Sequence, residues 1–379
     1  MSVPSRSYVE ISRSQIAENY RAVCSAVGPG IEVMGVVKAD AYGHGAVEVS
    51  RALAAAGAKW LAVSSVEEGA TLRRAGLESR ILVMAGVMPY EREALIEFRL
   101  TPVVHALEDL APLDALAGKA SEKATADFGL HLKIDSGMGR LGTRAAVREI
   151  ADAVRALRHA RVEGLMTHFA SAADYGSTQT GEQVAYFDSI RAGLSAAGIA
   201  PAYRHLSSTN ALAYARRDAW GTMVRPGHAL YGYVSPARGH APRNILKVQP
   251  ALTWKARIVA VKDIPEGAPV GYGGSFRAPR AMRIAILAAG YADGIPHRLS
   301  NRGKVIAGGR FAAILGTVSM DLTTIDVTQS PELQPGDAVT LLGREGSVSL
   351  DAQEIARTAG TISYNVLCGI GARVKRVYV

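Results

Sequence analysis

Between residue 30 and about residue 232, eight short β-like runs alternate with helix-like segments, and few folds accommodate that rhythm. The runs are EVMGVVK, WLAVSS, ILVMAG, TPVVHA, FGLHLKID, VEGLMTHF, YRHLSS and TMVRPGHALYG. Segments rich in Ala, Leu, Arg and Glu lie between them, among them GAVEVSRALAAAG and AAVREIADAVRALRHA. Their apolar residues recur every three or four positions, as on one face of a helix. Eight such alternations predict a closed (β/α)8 barrel of the TIM type rather than an open sheet. An open doubly wound fold is the alternative, and it is weakened because no Gly-x-Gly-x-x-Gly follows the first strand.

After VSPARGHAPRNI the pattern changes. ALTWKARIVAVKDI, MRIAILAAG, GRFAAILGTVSMDLTTIDV and DAVTLLG are strand-like and separated by turn signals such as PEG and QPGD. One helix-like stretch, LDAQEIARTAG, interrupts them. The expected organisation is a barrel over residues 1–234 followed by a mainly β domain over 235–379. The opening YVEIS is a strand that could pair with the β domain. A chain of 379 residues, 48% hydrophobic and 20% charged, has ample material for both cores.

Composition narrows the function classes. The net charge of +9 comes from 43 basic and 34 acidic residues, but the Arg and Lys are scattered and aromatics make up only 6%. A nucleic-acid partner is therefore not expected. Neither the opening MSVPSRSYVEISRSQ nor any later stretch has the apolar run of a signal peptide or a membrane span, so a cytoplasmic protein is expected. Cys24 and Cys368 offer neither a disulfide framework nor a metal cluster.

A barrel of this type works at the C-terminal ends of its strands. Lys38, Asp40 and Tyr42 follow the first strand; Lys133, Asp135 and Arg140 end the fifth. His168 ends the sixth, and His205, Ser207, Ser208 and Thr209 end the seventh. Arg225, Gly227 and His228 belong to the eighth. The loops after strands seven and eight are a common phosphate site, for which the Thr209 hydroxyl and the N–H groups of Gly227 and His228 are suited. A Lys at a strand end beside such a site suggests a Schiff base to pyridoxal 5′-phosphate. Two other readings stay open on these residues alone: a surface Lys snorkelling past the strand end, and a Schiff-base aldolase acting directly on a carbonyl substrate.

VVKADAYGHG resembles the pyridoxal-phosphate attachment signature of the alanine racemases. HLKIDSGMGRLG, THFA, MVRPGHALYG, VGYGGSF, AGYADGIPHRLSNRG, GTVSMD and TISYNVLCGIGARV continue the likeness in the family's order, from about residue 30 to the C-terminus. The resemblance implies a pyridoxal-phosphate barrel followed by a β domain. It implies that Lys38 carries the cofactor, that Tyr42, Thr209, Gly227, His228 and Tyr364 hold its phosphate, and that Arg225 faces the pyridine nitrogen, oriented by His168. The family usually has Ser where Thr209 stands, and often an aliphatic residue at His228. A guanidinium that donates a hydrogen bond without giving up a proton keeps that nitrogen unprotonated and the ring a poor electron sink, which favours proton transfer over transamination.

Racemisation removes a proton from one face of Cα and returns it on the other. By resemblance the two bases are Lys38 and Tyr272, the latter reaching the site across a head-to-tail homodimer. Arg140 and the Met320 backbone N–H would contact the substrate carboxylate. Lys133, His205 and Asp321 would give support, and Lys133 sits where many relatives carry a carbamylated Lys. Tyr291, Asp174 and the segment around His297 would line the approach. Two arginines common there are replaced, one by Pro296 or His297 and one by Thr317. Alanine is the expected substrate. The alternatives are a racemase of serine or of broad specificity, a non-catalytic pyridoxal-phosphate carrier, and a decarboxylase using Cys368, whose setting reads instead as packing.

Overall fold

The structure, a computed structural model, describes residues 5–121 and 128–379. It consists of two compact units. One comprises Ile16–Ala41 and Ala46–Gln249; the other comprises the N-terminal segment to Gln15, Tyr42–Gly45 and Pro250–Val379.

The first strand, β1 (Ser7–Ile11), belongs to the second unit, and the helix α1 (Arg13–Val27) leads into the first. The first unit is a (β/α)8 barrel. Its parallel strands are β2 (Glu32–Val36), β3 (Trp60–Val63), β4 (Arg80–Val83), β5 (Leu100–Val104), β6 (Phe128–Lys133), β7 (Ala160–Met166), β8 (Tyr203–His205) and β9 (Met223–Val224). Each pairs with its neighbour in chain order, and β9 returns to β2. Main-chain bonds from Thr222 N to Arg204 O (2.9 Å) and from Arg225 N to Ser207 O (3.0 Å) close the remaining seam. Strands covered by side chains inside and helices outside are buried on both faces, which explains their near-continuous apolar runs. Trp60, Leu61, Ile81 and Leu82 are all fully buried, each contributing roughly 1.5–3 kcal/mol by leaving water.

The helical elements along the barrel are α2 (Lys38–Gly43), α3 (Ala46–Ala55), α4 (Val66–Arg74), α5 (Arg92–Glu97), α6 (Leu110–Ser121), α7 (Val147–Arg155), α8 (Gln179–Ala196) and α9 (Thr209–Ala213). Residues 235–249 cluster with the barrel unit although the periodicity breaks before them. Ile245 N bonds to Ala213 O (2.8 Å), and Gln249 exchanges two bonds with the buried Asn19. No helix among the described residues is long and apolar enough to cross a membrane.

The second unit is mainly β. Its centre is β10 (Leu252–Ile264), a 13-residue strand whose first half alternates buried and half-buried residues. The others are β11 (Pro269–Val270), β12 (Phe276–Arg277), β13 (Met282–Leu287), β14 (Lys304–Ala307), β15 (Arg310–Leu315), β16 (Thr323–Asp326), β17 (Ala338–Glu345), β18 (Val348–Leu350) and β19 (Lys375–Tyr378). Hydrogen bonding runs β10–β13–β16–β15–β14–β17 and back to β10, a closed ring with no free edge. As the sequence suggests, YVEIS (β1) joins this unit, antiparallel to β10 and parallel to β19. The helix expected from LDAQEIARTAG is α10 (Ala352–Ala359), capped by the Asp351 side chain, and α11 (Ser363–Cys368) follows it.

Candidate active site

Lys38 follows β2 at the C-terminal end of the barrel. The backbone after it is unusual: Ala39, Asp40, Ala41 and Tyr42 all have φ between 50° and 54°, a turn of left-handed helix without a glycine until Gly43. Each such residue costs about 1–2 kcal/mol, so the surroundings must hold it in place. Glu68 does so with both oxygens, accepting from Ala39 N (2.7 Å) and Ser64 N (2.6 Å). Asp40 accepts from Ala46 N (2.7 Å), and Ala41 N reaches back to Val37 O (2.9 Å). Nothing in ADAYG signals this turn, and Glu68 lies thirty residues from it in sequence.

Arg225 is the best fixed of the expected residues. Its Nη1 donates to His205 Nδ1 (2.8 Å) and His205 O (2.6 Å); its Nη2 donates to Thr167 O (2.7 Å) and Leu206 O (3.1 Å). His168 Nδ1 is more distant, at 3.4 Å. The orienting histidine is therefore chiefly His205, not His168. The second nitrogen of His205 meets His131 Nδ1 at 2.7 Å, so both ring nitrogens are engaged within the barrel. Burial pushes Arg225 down to about 9, which leaves it cationic at neutral pH.

Lys133 is buried near Arg225, Arg140 and Lys38. Burial and those cations push its ammonium down to about 8. Burial and the same cluster hold His168 at about 3, so it is a neutral imidazole. Asp135 Oδ1 accepts three backbone N–H groups, from Gly137, Met138 and Gly139, and so shapes the turn that leads to the exposed Arg140. Thr209, after β8, accepts through Oγ1 from two groups after β9, Gly227 N (3.2 Å) and Ala229 N (3.1 Å). With its lone pairs taken, the hydroxyl proton is directed outward as a donor. His228, between Gly227 and Ala229, is buried, its ring stacked on Tyr233 at 5.2 Å. Asp174 accepts from Gly176 N (2.9 Å) and shapes its own loop.

The β unit holds the other expected residues. The Tyr42 and Tyr364 rings lie 6.0 Å apart, and burial pushes the Tyr42 phenol up, keeping it a hydrogen-bond donor. Gly43 follows because a Cβ there would come within 2.4 Å of Leu367 O. Tyr272 sits in a short turn with Gly271 at φ 73° and Gly273 at φ 68°, and is 75% exposed. Thr317, one of the two replaced arginine positions, lies beneath that turn: its Oγ1 is 3.4 Å from Tyr272 O and 3.1 Å from Ser275 Oγ. At the other position, the His297 ring packs edge-on to Tyr291 at 6.2 Å.

Tyr291 and Met320 are brought together by main-chain bonds, Tyr291 N to Ser319 O (2.9 Å) and Ala292 N to Met320 O (3.0 Å). Arg373, missed from the sequence, pins both loops: it is bidentate to the buried Asp293 (2.7 and 2.8 Å) and reaches Asp321 Oδ1 (2.8 Å). Cys368, expected to be packed, is exposed. His131 was also missed, although it stands two residues before Lys133 and so faces the same way along the strand.

The donor set suits pyridoxal 5′-phosphate. Arg225 spends Nη1 and Nη2 on the protein but makes no hydrogen bond through Nε among the described residues, leaving a fixed donor for a ring nitrogen. The Thr209 proton is available to a phosphate oxygen, and Lys38 supplies an amine.

Comparison with known proteins agrees. Residues 11–236 match the family model "Alanine racemase, N-terminal domain", and residues 251–378 match "Alanine racemase, C-terminal domain". The alanine racemase of Halothermothrix orenii is 40% identical over 374 residues, covering 98% of this chain and 96% of that protein. The crystal structure of alanine racemase from D-cycloserine-producing Streptomyces lavendulae superposes with a TM-score of 0.91 at 33% identity, covering 100% of this chain and 98% of that one. The alanine racemase of Bartonella henselae, solved with covalently bound pyridoxal phosphate, superposes with a TM-score of 0.86 at 27% identity, covering 99% and 100%. Taken with the barrel, the β unit and the strand-end residues, these matches make the chain a member of the alanine racemase family, a family of isomerases.

Proposed function

We propose that this protein interconverts L-alanine and D-alanine, using pyridoxal 5′-phosphate bound to Lys38. The observation that carries the reading is Arg225: fully buried, held by His205 and three carbonyls, and left with Nε–H to donate. When bound, the cofactor withdraws electrons from the substrate Cα and so acidifies its proton. The chain's own residues then determine where that proton goes. Arg225 donates to the ring nitrogen without protonating it, which limits electron withdrawal and favours simple return of the proton over transamination. Tyr42, Thr209, Tyr364 and the His228 N–H would hold the phosphate, whereas the Gly227 N–H expected there is already donated to Thr209 Oγ1.

Lys38 Nζ takes or returns the Cα proton on one face. Tyr272 Oη, contributed by a second copy of the chain in a head-to-tail dimer, serves the other. The exposure of Tyr272 supports that assignment, since a catalytic phenol standing in water needs a second surface to exclude it. Arg140 and the Met320 N–H receive the substrate carboxylate. Tyr291 and Tyr364 restrict the room beside the substrate methyl group. Lys133 is a poor place for a cation, with Arg225, Arg140 and Lys38 around it, and carbamylation would replace that cation by an anion able to hold Arg140.

Chiral chromatography of separate incubations with L-alanine, L-serine and L-lysine, each with added cofactor, tests the reading. Rapid appearance of D-alanine with little turnover of the others is expected. Faster inversion of serine or lysine would move the substrate, a change that Thr317 and His297 in place of arginines could produce. No inversion of any substrate by a cofactor-loaded protein would sink the two-base assignment and favour a carrier.

A further inference from the structure

Arg225 is a buried cation, yet among the described residues none of its hydrogen bonds goes to a carboxylate. A buried charge without a counter-charge is costly, so the nearest connected anion matters. The bonding leads to one. An Arg only donates, so His205 Nδ1 accepts and the His205 proton is on Nε2. Nε2–H then donates to His131 Nδ1 at 2.7 Å, which places the His131 proton on its own Nε2. That nitrogen lies 3.6 Å from Glu163 Oε1, longer than a hydrogen bond but within electrostatic contact. Both imidazoles are wholly buried, and burial holds both below the ordinary histidine range, so they are neutral and carry one proton each.

Glu163 is an anion under these conditions. Burial would raise its carboxyl, but His131 and Arg80 outweigh that and hold it at about 2. Arg80 grips both of its oxygens, and Arg161 Nη2 lies 3.3 Å from Oε2. The barrel is also built around this row. Gly164 and Gly129 both lie in strands at ordinary φ, so neither is a glycine for backbone reasons. A Cβ on Gly164 would come within 2.4 Å of the His131 ring, and one on Gly129 within 2.4 Å of the Glu163 carboxyl carbon. Two neighbouring strands give up their side chains to make room for His131 and Glu163.

We propose that Glu163 is a positioning residue for the reaction: acting through His131 and His205, it fixes the orientation of Arg225 and the strength with which Arg225 donates to the cofactor's ring nitrogen. The proposal rests on the assignment of Arg225 made above. It gives the barrel interior a part in suppressing side reactions, reached from the N-terminal ends of β4 and β7, where Arg80 and Arg161 anchor the row.

The test uses the cofactor-loaded protein and its Glu163→Gln, His131→Gln and Arg80→Gln variants. The visible absorption of the bound cofactor and the number of transaminations per racemisation are measured beside the thermal midpoint. Loss of the partners that orient metal-ligating side chains typically costs 10–100-fold, and by analogy a change on the order of tenfold in the side-reaction ratio is expected for Glu163→Gln and His131→Gln. Arg80→Gln, which loosens the carboxylate without removing it, should move the ratio less even if it melts as early. Unchanged absorption and ratio in Glu163→Gln, with only a lower midpoint, would show a purely structural carboxylate and overturn the proposal. Histidine side-chain 15N shifts of the wild-type protein decide the matter should the variants fail to fold or the protein prove inactive on alanine. Neutral His131 and His205 protonated at Nε2 support the row, and a proton on Nδ1 of either breaks it.

Discussion

In the barrel unit Arg225, His205 and His131 are buried and joined in one row of hydrogen bonds, whereas in the β unit Tyr272, Tyr291 and Met320 are exposed. Both sets come from the same chain and are proposed to serve the same reaction. Their surroundings impose different requirements. A guanidinium inside a barrel must have each polar contact supplied by the protein, because no solvent can repair a missing one. The exposed loops need only be tied at a few points, as the Arg373 side chain does through the carboxylates of Asp293 and Asp321. The barrel set is thus preorganised by buried contacts, and the β-unit set is ordered at its backbone but left open to water.

The substitution expected to have the largest effect is Lys38→Ala. It should abolish racemisation and the absorption of covalently held cofactor together, because one amine does both tasks; retention of either breaks the assignment. Tyr272→Phe separates the two regions more sharply. Cofactor binding should be unchanged while racemisation falls by on the order of 10²–10⁴, the usual worth of a positioned acid–base group. Loss of cofactor in that variant would mean the exposed turn also serves the barrel set.

Acid should act on the barrel before the β unit. Burial holds His105 at about 4 and His168 at about 3, while both titrate near 6.5 when unfolded. The unfolded chain therefore binds more protons below pH 6.5, and stability is lost as pH falls from there towards 3–4, by on the order of 1–3 kcal/mol for each histidine. Thermal midpoints between pH 7 and 4.5 check this, and a flat profile would contradict the neutral imidazoles. Lys133 follows the same sign in a higher pH window. Its folded value of about 8 lies below the ordinary lysine value of 10.5, so the cost of its charge is full below pH 8 and fades as pH rises towards 10.5. Lys133→Met should raise the midpoint of the unmodified protein at pH 7, and lower it if the side chain is carbamylated. Asp321→Asn should have the smallest effect, leaving folding and cofactor binding intact and raising KM modestly through the loop that carries Met320.

Much of the barrel could be read directly. Eight apolar runs with helical segments between them admit few arrangements, and the polar residues Lys38, Lys133, His168, His205 and Arg225 announce themselves because each ends such a run. The β unit was legible as strands and turns. Its closure was not, since alternation along β10 identifies a core face without naming the strands that will pair with it. The histidine assignments show the same limit: spacing placed His168 and His205 at neighbouring strand ends, and only distances showed that His205 makes the short bond to Arg225.

By itself the sequence determined the architecture, the family and the set of reactive side chains. Periodicity and residue type are local properties, and they are preserved whatever the chain does elsewhere. The tertiary structure decided partnership. Glu68 holds the left-handed turn after Lys38, Arg373 ties Asp293 to Asp321, and Gly129 and Gly164 make room for Glu163 and His131. Each of these joins residues far apart in the chain. Which buried charge meets which partner is fixed only when the strands close and water is excluded, because burial is what makes those partners necessary.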